Sequence, residues 1–385
     1  VLDASRSVGV TSKLLSDEQR DGFLNDVEDR FEMLRDRHEG RSRRKTYLSL
    51  EEARENRFSC NWDDVPITTP NRLGVETLRD FPISELRDYI DWTPFFIAWQ
   101  LKGKFPRIFD DPEVGAEAEE LYEDANRMLD RMVRENWLRA HGVYALWPAN
   151  SSGDDIEVYS SEERDEVIAR LHHLRQQSEK TPGRPNRALS DFVAPKDSGR
   201  GDYVGGFAVT AGHGLDEVKA RFEDQHDDYN QILATSLADR LAEAFAEMLH
   251  ERLRKDKWGY APDEELSNEQ LVKEKYRGIR PAPGYPACPD HTEKPLMWEL
   301  MDVEANTGIT LTESLAMHPG AAVCGTYIAH PEASYYNVGK VARDQVEDYA
   351  RRKGMTPAEI ENWLSSRLSY DPDAEADEQQ EAVAA

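Results

Sequence analysis

The chain has 385 residues and a net charge of −27, from 75 acidic and 48 basic side chains. A field of this sign repels nucleic-acid phosphates and anionic lipids, and no apolar run approaches the ~20 residues of a membrane helix, so we expect no nucleic-acid partner and no membrane contact. The three cysteines are an odd, sparse set that fits a reducing cytoplasm better than a disulfide framework. The acidity itself fits a solvated surface, the simplest interpretation, or else a basic partner or a saline cytoplasm.

The N-terminal part predicts the end of one folded unit followed by a helix. The opening VLDASRSVGV has none of the features of a signal peptide, and we interpret it as the trailing end of another domain in a longer polypeptide. Ser16 and Gln19 have the spacing of a capping box, which predicts a polar helix through Phe23, Val27, Phe31 and Leu34. The basic run RHEGRSRRK predicts a linker and a domain boundary at residues 37–45.

Helical patterns dominate the next hundred residues. Ser49 and Glu52 predict the start of a short helix. A further helix is predicted within LRDFPISELRDYIDWTPFFIAWQL, followed by Asp91 and an aromatic cluster in which Pro94 marks a helix start. Residues 113–137 predict a long amphipathic helix whose apolar face comprises Leu121, Ala125, Leu129 and Val133.

The sequence predicts several strands in the middle of the chain. GVYALWPAN and DIEVYS predict two paired strands, and DYVGGFAVTA predicts another. VIARLHHLRQQ fits either a helix or a strand, and its adjacent His172 and His173 fit a surface or strand pair better than a ligand set. AGHGLDE lacks the third glycine of a dinucleotide-binding motif, so we interpret it as a strand-to-helix turn.

The C-terminal part mixes helices, a proline-rich loop and short strands. Two helices are predicted between about residues 215 and 257, and a short one at residues 267–276. ESLAMHPGAAVCGTYIAH predicts two strands joined at Pro319 and Gly320, VARDQVEDYARRK and PAEIENWLSS predict helices, and residues 371–385 predict a disordered acidic tail. Strands and helices without regular alternation favour an α+β fold.

One helix carries acidic side chains opposite its apolar stripe. Leu237, Leu241, Phe245 and Met248 form the stripe expected to face the core, and the opposite side carries Asp239, Glu243, Ala246 and His250. This row fits a solvated acidic face, which periodicity alone favours, or a carboxylate face presented to a cationic ligand.

The loop RPAPGYPACPDHTEK, residues 280–294, is too rich in proline for a helix or a central strand. Arg280 could hold a carboxylate with two hydrogen bonds, Gly284 lets backbone approach a ligand, and Tyr285 offers a flat face and a hydroxyl. The loop therefore fits a site for an amino-acid head group, or a rigid structural corner. Cys288 and His291 are three residues apart, but no further ligands complete a zinc pattern, so we predict no metal site.

Five segments carry a family resemblance: GIRPAPGYPACPDHTEK, DYIDWTPFFIAWQLKGKFPRI, DFVAPK, QHDDYN and DQVEDYARRKGM. Together they closely resemble the C-terminal activation domain of cobalamin-dependent methionine synthase, over about residues 1–370. The resemblance implies a twisted, mainly antiparallel sheet surrounded by helices. It also implies three segments: residues 1–45 as the end of a cobalamin-binding domain and a helical linker, residues 46–370 as the activation domain, and residues 371–385 as a tail.

The resemblance implies a function as well. In that family the domain binds S-adenosylmethionine and presents its methyl group to cobalamin held by the neighbouring domain, where reductive methylation of cob(II)alamin reactivates the enzyme for methionine synthesis from homocysteine. A flavodoxin or a diflavin reductase supplies the electron. Carried over to this sequence, the S-adenosylmethionine residues are Asp91, Glu243, Arg280, Ala282, Gly284, Tyr285 and Tyr335. Asp239 and His291 match positions near the cobalamin face.

The division of labour in the family limits what this chain is expected to do alone. The cobalamin-binding signature D-x-H-x-x-G does not occur, so cobalamin is expected on an upstream domain, and zinc only in an upstream homocysteine module. We predict no catalytic residue and no metal here, a cytoplasmic location, and no turnover by the fragment alone. Two alternatives stay open: a free-standing small-molecule methyltransferase, whose usual glycine-rich turn is missing, and a non-catalytic docking module for a redox partner.

Overall fold

The structure is a computed structural model that describes residues 10–11, 13–16, 19–42 and 46–372. By its contacts the chain divides into two units, Val1–Leu48 with Ser178–Arg184, and Ser49–Gln177 with Pro185–Ala385. The division falls close to the predicted boundary at residue 45; the assignment of the first part to a cobalamin-binding domain stays a prediction. Residues 1–9, within the predicted domain end, and residues 373–385, within the predicted tail, lie outside the described residues.

The first unit contains one long helix, α1, over Arg20–Ser42. The predicted linker at residues 37–45 is wrong over its first six residues, because α1 continues through Ser42. The Arg and Glu residues of the predicted linker are good helix formers, and its one glycine, Gly40, costs only about 1 kcal/mol within a helix. Residues 43–45 lie outside the described residues. In the same unit, the backbone N–H of Glu179 donates to the carbonyl of Thr46 at 2.9 Å.

The second unit is built on a six-stranded antiparallel sheet. Its strands are β1 (Gly74–Phe81), β2 (Arg139–Ser152), β3 (Asp155–Tyr159), β4 (Val167–His172), β5 (Asp202–His213) and β8 (Ala322–Tyr327). Their order is β4–β3–β2–β5–β8, with β1 paired to β2. The first half of β2 pairs with β1 and the second half with β3, which 14 residues make possible. The α+β prediction is confirmed.

Both faces of the sheet are covered, and β2 shows why its residues are apolar almost throughout. Tyr144 and Leu146 point into one core with β5 residues such as Phe207, whereas Val143 and Ala145 point into a second core. Because successive strand residues face opposite sides, a strand with a core on each face reads as a continuous apolar run.

Helices form the layers on the two faces. On the Tyr144 side the core is closed by α4 (Trp92–Ala98), α5 (Gly115–Glu135), α6 (Leu215–Glu223) and α7 (Asp228–Arg252), and on the other side by α9 (Lys294–Met301) and α10 (Val303–Thr307). A third cluster joins α11 (Arg343–Lys353) and α12 (Pro357–Trp363). Shorter elements are α2 (Leu50–Glu55), α3 (Ile83–Leu86), α8 (Asn268–Val272), β6 (Thr310–Leu311) and β7 (Met317–His318). Among the described residues, no helix has both the length and the apolar composition needed to span a bilayer.

Most of the other local predictions are confirmed. The strand β1 was not predicted, because its solvent-facing side leaves a weak pattern that runs into the helical sequence after it. VIARLHHLRQQ is a strand at its start, β4, in which His172 is the last residue and His173 is buried just beyond. The two strands predicted to be joined at Pro319 and Gly320 are present; β7 pairs with β6, and β8 joins the main sheet beside β5.

Candidate functional site

A cleft of about 490 Å³ opens between the proline-rich loop, α7 and the end of the sheet. We call it the ligand cleft. Five of the predicted residues line it, namely Glu243, Arg280, Ala282, Tyr285 and Tyr335. The rest of its wall comes from residues that the sequence did not single out: Phe207, Glu274, Pro281, Pro286, Ala287, Val323, Tyr336 and Asn337.

The loop is fixed against the edge strand β8. Ile279 and Ile328 exchange backbone hydrogen bonds at 2.9 and 3.0 Å, and the backbone N–H of Thr326 donates to the carbonyl of Pro281 at 2.9 Å. This approach requires Gly325, since a Cβ built there would lie 2.8 Å from the Pro281 carbonyl oxygen. The loop therefore continues the sheet for a few residues before it turns away over the cleft.

A tight turn places Tyr285 at the rim of the cleft. Gly284 has φ of +95°, in the left-handed region, and its N–H donates to the carbonyl of Cys288 at 2.7 Å. The N–H of Cys288 donates in turn to the carbonyl of Tyr285 at 3.0 Å. Tyr285 keeps 60% of its surface exposed, so its ring is available to a ligand.

The acidic row on α7 differs from the solvated face that periodicity alone favours. Glu243 lines the cleft, whereas Ala246 and His250 are fully buried. Glu247, one turn after Glu243, is 7% exposed and belongs to the same side of the helix. Glu247 was not predicted, although the i, i+4, i+7 spacing of Glu243, Glu247 and His250 was the available signal.

Arg280 carries the positive charge of the cleft. Its Nη2 donates to Oε2 of Glu247 at 2.6 Å, and its Nη1 donates to the Tyr276 hydroxyl at 3.0 Å. Burial opposes the charge, but the Glu247 carboxylate keeps the pKa of Arg280 above its usual value, so the side chain stays cationic. The backbone N–H of Arg280 donates to the Tyr335 hydroxyl at 3.0 Å, which ties the loop to the opposite wall. Burial raises the pKa of Tyr276 and of Tyr335, and both phenols stay neutral.

Four predicted residues lie outside the lining of the ligand cleft: Gly284, in the turn described above, and Asp91, Asp239 and His291. Asp91 caps α4 by accepting the backbone N–H of Thr93 at 3.0 Å. Asp239 lies one turn before Glu243 on α7 and is exposed. His291 packs its ring against Gly284, where burial lowers its pKa. Among the described residues, no group of three or more His, Cys, Asp and Glu side chains could hold a metal ion.

A second cleft of about 510 Å³ is lined by residues around Cys60, Trp62 and Lys196, and by none of the predicted site residues. Two of its charged residues are engaged with other side chains: Lys196 pairs with Glu157 at 2.8 Å, and Asp191 accepts two hydrogen bonds from Arg175 at 2.7 Å.

Comparison with known proteins agrees with this geometry. Residues 82–354 match the family model described as "Vitamin B12 dependent methionine synthase, activation domain". A solved crystal structure of the MetH reactivation domain bound to AdoHcy shares 57% sequence identity and a TM-score of 0.82 with this chain, and the match covers 84% of this chain and 99% of that one. The overall fold and the sequence thus agree, and this chain belongs to the activation-domain family of vitamin B12-dependent methionine synthases.

Proposed function

We propose that the ligand cleft binds S-adenosylmethionine and presents its methyl group to cobalamin held by a neighbouring domain of the same polypeptide, which reactivates methionine synthase by reductive methylation of cob(II)alamin. One observation carries the proposal: Glu243, the loop residues Arg280 and Tyr285, and Tyr335 come from three separate parts of the sequence and line a single cleft. The similar reactivation domain was solved bound to AdoHcy, the demethylated form of the proposed ligand, which supports the same ligand class here.

The chemistry of the cleft fits the ligand group by group. S-adenosylmethionine carries a carboxylate, an ammonium, a sulfonium and a flat adenine. Arg280 suits the carboxylate because a guanidinium offers parallel N–H donors. Glu243 and Glu274 suit the two cationic groups, and the exposed ring of Tyr285 suits the sulfonium or the adenine. Tyr335 lies opposite, with its hydroxyl already held by the backbone of Arg280.

The residues of this chain bind and orient; they supply neither a nucleophile nor a proton. Cobalamin, when the neighbouring domain brings it to the cleft, supplies the reduced cobalt that accepts the methyl group, with the electron coming from a flavodoxin or a diflavin reductase. Catalysis by this part is then positioning, because holding the two partners in line replaces a bimolecular encounter. Asp239 and His291, which flank the cleft without lining it, are the proposed contacts for the cobalamin face.

Three further assignments belong to this proposal: residues 1–45 form the end of the cobalamin-binding domain and its linker, residues 46–370 form the activation domain, and residues 371–385 form a tail. Asp91 is proposed to contact the ligand, and Gly284 to let backbone approach it. Zinc is proposed only for an upstream homocysteine module, and the location is proposed to be cytoplasmic.

Calorimetric titration of the chain with S-adenosylmethionine and S-adenosylhomocysteine tests the proposal. We expect both to bind at one site, and methyl transfer only when a cobalamin domain and a reductant are added. Arg57→Ala, in the second cleft, is a matched control that should leave both affinities unchanged. Absence of binding to either ligand would favour a docking module, and turnover without a cobalamin domain would favour a free-standing methyltransferase.

A further inference from the structure

Three protein acceptors already hold the guanidinium of Arg280. Its Nη2 donates to Glu247, and its Nη1 donates both to Tyr276 and to Nδ1 of His250, the last at 3.2 Å. A guanidinium has five N–H bonds, so these contacts leave two: the Nε–H and the second N–H of Nη2. Within the described part of the chain, no acceptor bonds to either of them. The Nε–H of a guanidinium and the Nη2–H next to it can together bind a carboxylate with two parallel hydrogen bonds.

His250 is a fixed acceptor in this arrangement. A guanidinium only donates, so Nδ1 of His250 carries no proton where it meets Arg280. The ring is fully buried, stacks on Tyr327 with centroids 5.2 Å apart and meets Tyr276 edge-on at 4.9 Å. Burial lowers the pKa of His250 well below its ordinary value, so the ring stays neutral and keeps its lone pair directed at Arg280.

Glu247 supplies the charge that makes a buried guanidinium tolerable. The side chain of Arg280 is 19% exposed and that of Glu247 is 9% exposed, so neither is well solvated. An unpaired cation in such a place is strongly unfavourable, whereas a hydrogen-bonded pair is not. Glu247 is absent from the lining of the ligand cleft, so it acts on a ligand only through Arg280.

We propose that Glu247, His250 and Tyr276 are positioning residues that hold the Arg280 guanidinium with its Nε–H and one Nη2–H turned to the ligand cleft as a two-point receptor for the ligand's amino-acid carboxylate. This assignment rests on the proposed function, since it names the residues that orient one group of the same site. The adenosine part of the ligand makes no use of the receptor.

The test compares two ligands that differ in the amino-acid group. S-adenosylhomocysteine has the carboxylate, whereas 5′-methylthioadenosine retains the adenosine and the sulfur without it. Glu247→Ala and Tyr276→Phe are each expected to weaken S-adenosylhomocysteine by about tenfold, the worth of one charge-assisted hydrogen bond, and to change methylthioadenosine by less than about twofold. Glu247→Gln keeps an oxygen acceptor for Nη2 and is expected to recover most of the loss.

Tyr327→Phe is the matched control, because its hydroxyl is buried beside His250 and has no hydrogen-bond partner among the described residues. It should leave both affinities unchanged. Binding of methylthioadenosine reports whether each variant is folded. Equal weakening of both ligands in Glu247→Ala, or failure of Gln to do better than Ala, would overturn the positioning role. A wild-type chain that binds neither ligand would instead overturn the proposed function, and this assignment with it.

Discussion

A Cβ built on Gly284 would lie 2.2 Å from Cε1 of His291, so the imidazole occupies the space in which any other residue type carries its first side-chain carbon. Gly284 also has φ of +95°, which side-chain-bearing residues rarely adopt. His291 thus packs against the turn that carries Tyr285, and this packing requires that residue 284 has no Cβ.

Gly284→Ala is therefore expected to destabilise the protein by about 2–4 kcal/mol, combining the strain of the left-handed backbone with displacement of His291. Urea unfolding followed by tryptophan fluorescence measures this. Gly339→Ala is the control, because Gly339 has φ of +81° but no atom within 4 Å of a built Cβ, so it carries the backbone cost alone. If the two variants lose the same stability, the contact with His291 contributes nothing.

Arg280→Ala is expected to weaken S-adenosylmethionine by about 1.5–3 kcal/mol, because a charged hydrogen-bonding group is lost from the cleft. Calorimetry at constant ionic strength provides the measurement. The substitution also leaves Glu247 without its partner, so stability should be measured alongside. Unchanged affinity in a folded variant would remove Arg280 from the site.

Tyr285→Ala separates binding from folding. Because the ring is 60% exposed, we expect its removal to change the free energy of unfolding by less than about 0.5 kcal/mol while it weakens the ligand. Thermal unfolding and titration of the same sample suffice. A large fall in the melting temperature would show that the ring supports the loop as well.

Lys353→Met tests the anchoring of the loop's far end. The Lys353 ammonium, 6% exposed, pairs with Asp290 at 3.2 Å and also with Glu293. Removing it leaves two buried acids uncompensated, and we expect a loss of about 3–5 kcal/mol at neutral pH. Lys273→Met, which breaks an exposed pair with Glu269, should leave the unfolding midpoint unchanged. A small effect at Lys353 would mean that the acids are solvated or protonated.

The buried imidazole of His330 is expected to make the protein less stable as the pH falls. Burial among Phe58, Trp62 and Phe192 lowers the pKa of His330 from 6.5 to about 4. A base with a depressed folded pKa contributes stability above its unfolded pKa, and this is lost as pH falls from 6.5 towards 4. Between pH 7 and 4.5 the wild type should lose roughly 2–3 kcal/mol that His330→Asn does not. In the wild type, Nδ1 of His330 accepts the backbone N–H of Glu332, and the amide oxygen of asparagine can replace this acceptor. Parallel pH profiles for the two proteins would contradict the prediction.

Most of the fold could be predicted from the sequence where local sequence patterns determine the secondary structure. The apolar spacing of Leu121, Ala125 and Leu129 predicts their helix, and all three side chains are buried. By contrast, β4 is a strand that pairs with β3, and β7 pairs with β6. Those pairings are long-range choices that a local pattern does not contain.

The site divides in the same way. Arg280, Gly284 and Tyr285 belong to one loop whose composition is unusual, so the sequence could single them out. Glu247 and Tyr276 were missed because an acid in a helix and a tyrosine before a loop are ordinary residues until folding brings both onto Arg280. Family resemblance added Tyr335 and selected Glu243 from the acidic row of α7, and both line the cleft; it also added Asp91, whose contact with a ligand stays a prediction.

Helix α7 carries the buried stripe of Leu237, Leu241 and Phe245 on one side and the wall of the cleft on another. A displacement of α7 at the cleft would therefore also displace its buried side chains in the core. Substitutions that adjust affinity with little effect on stability are therefore expected at exposed positions of the proline-rich loop, such as Tyr285, and not on α7.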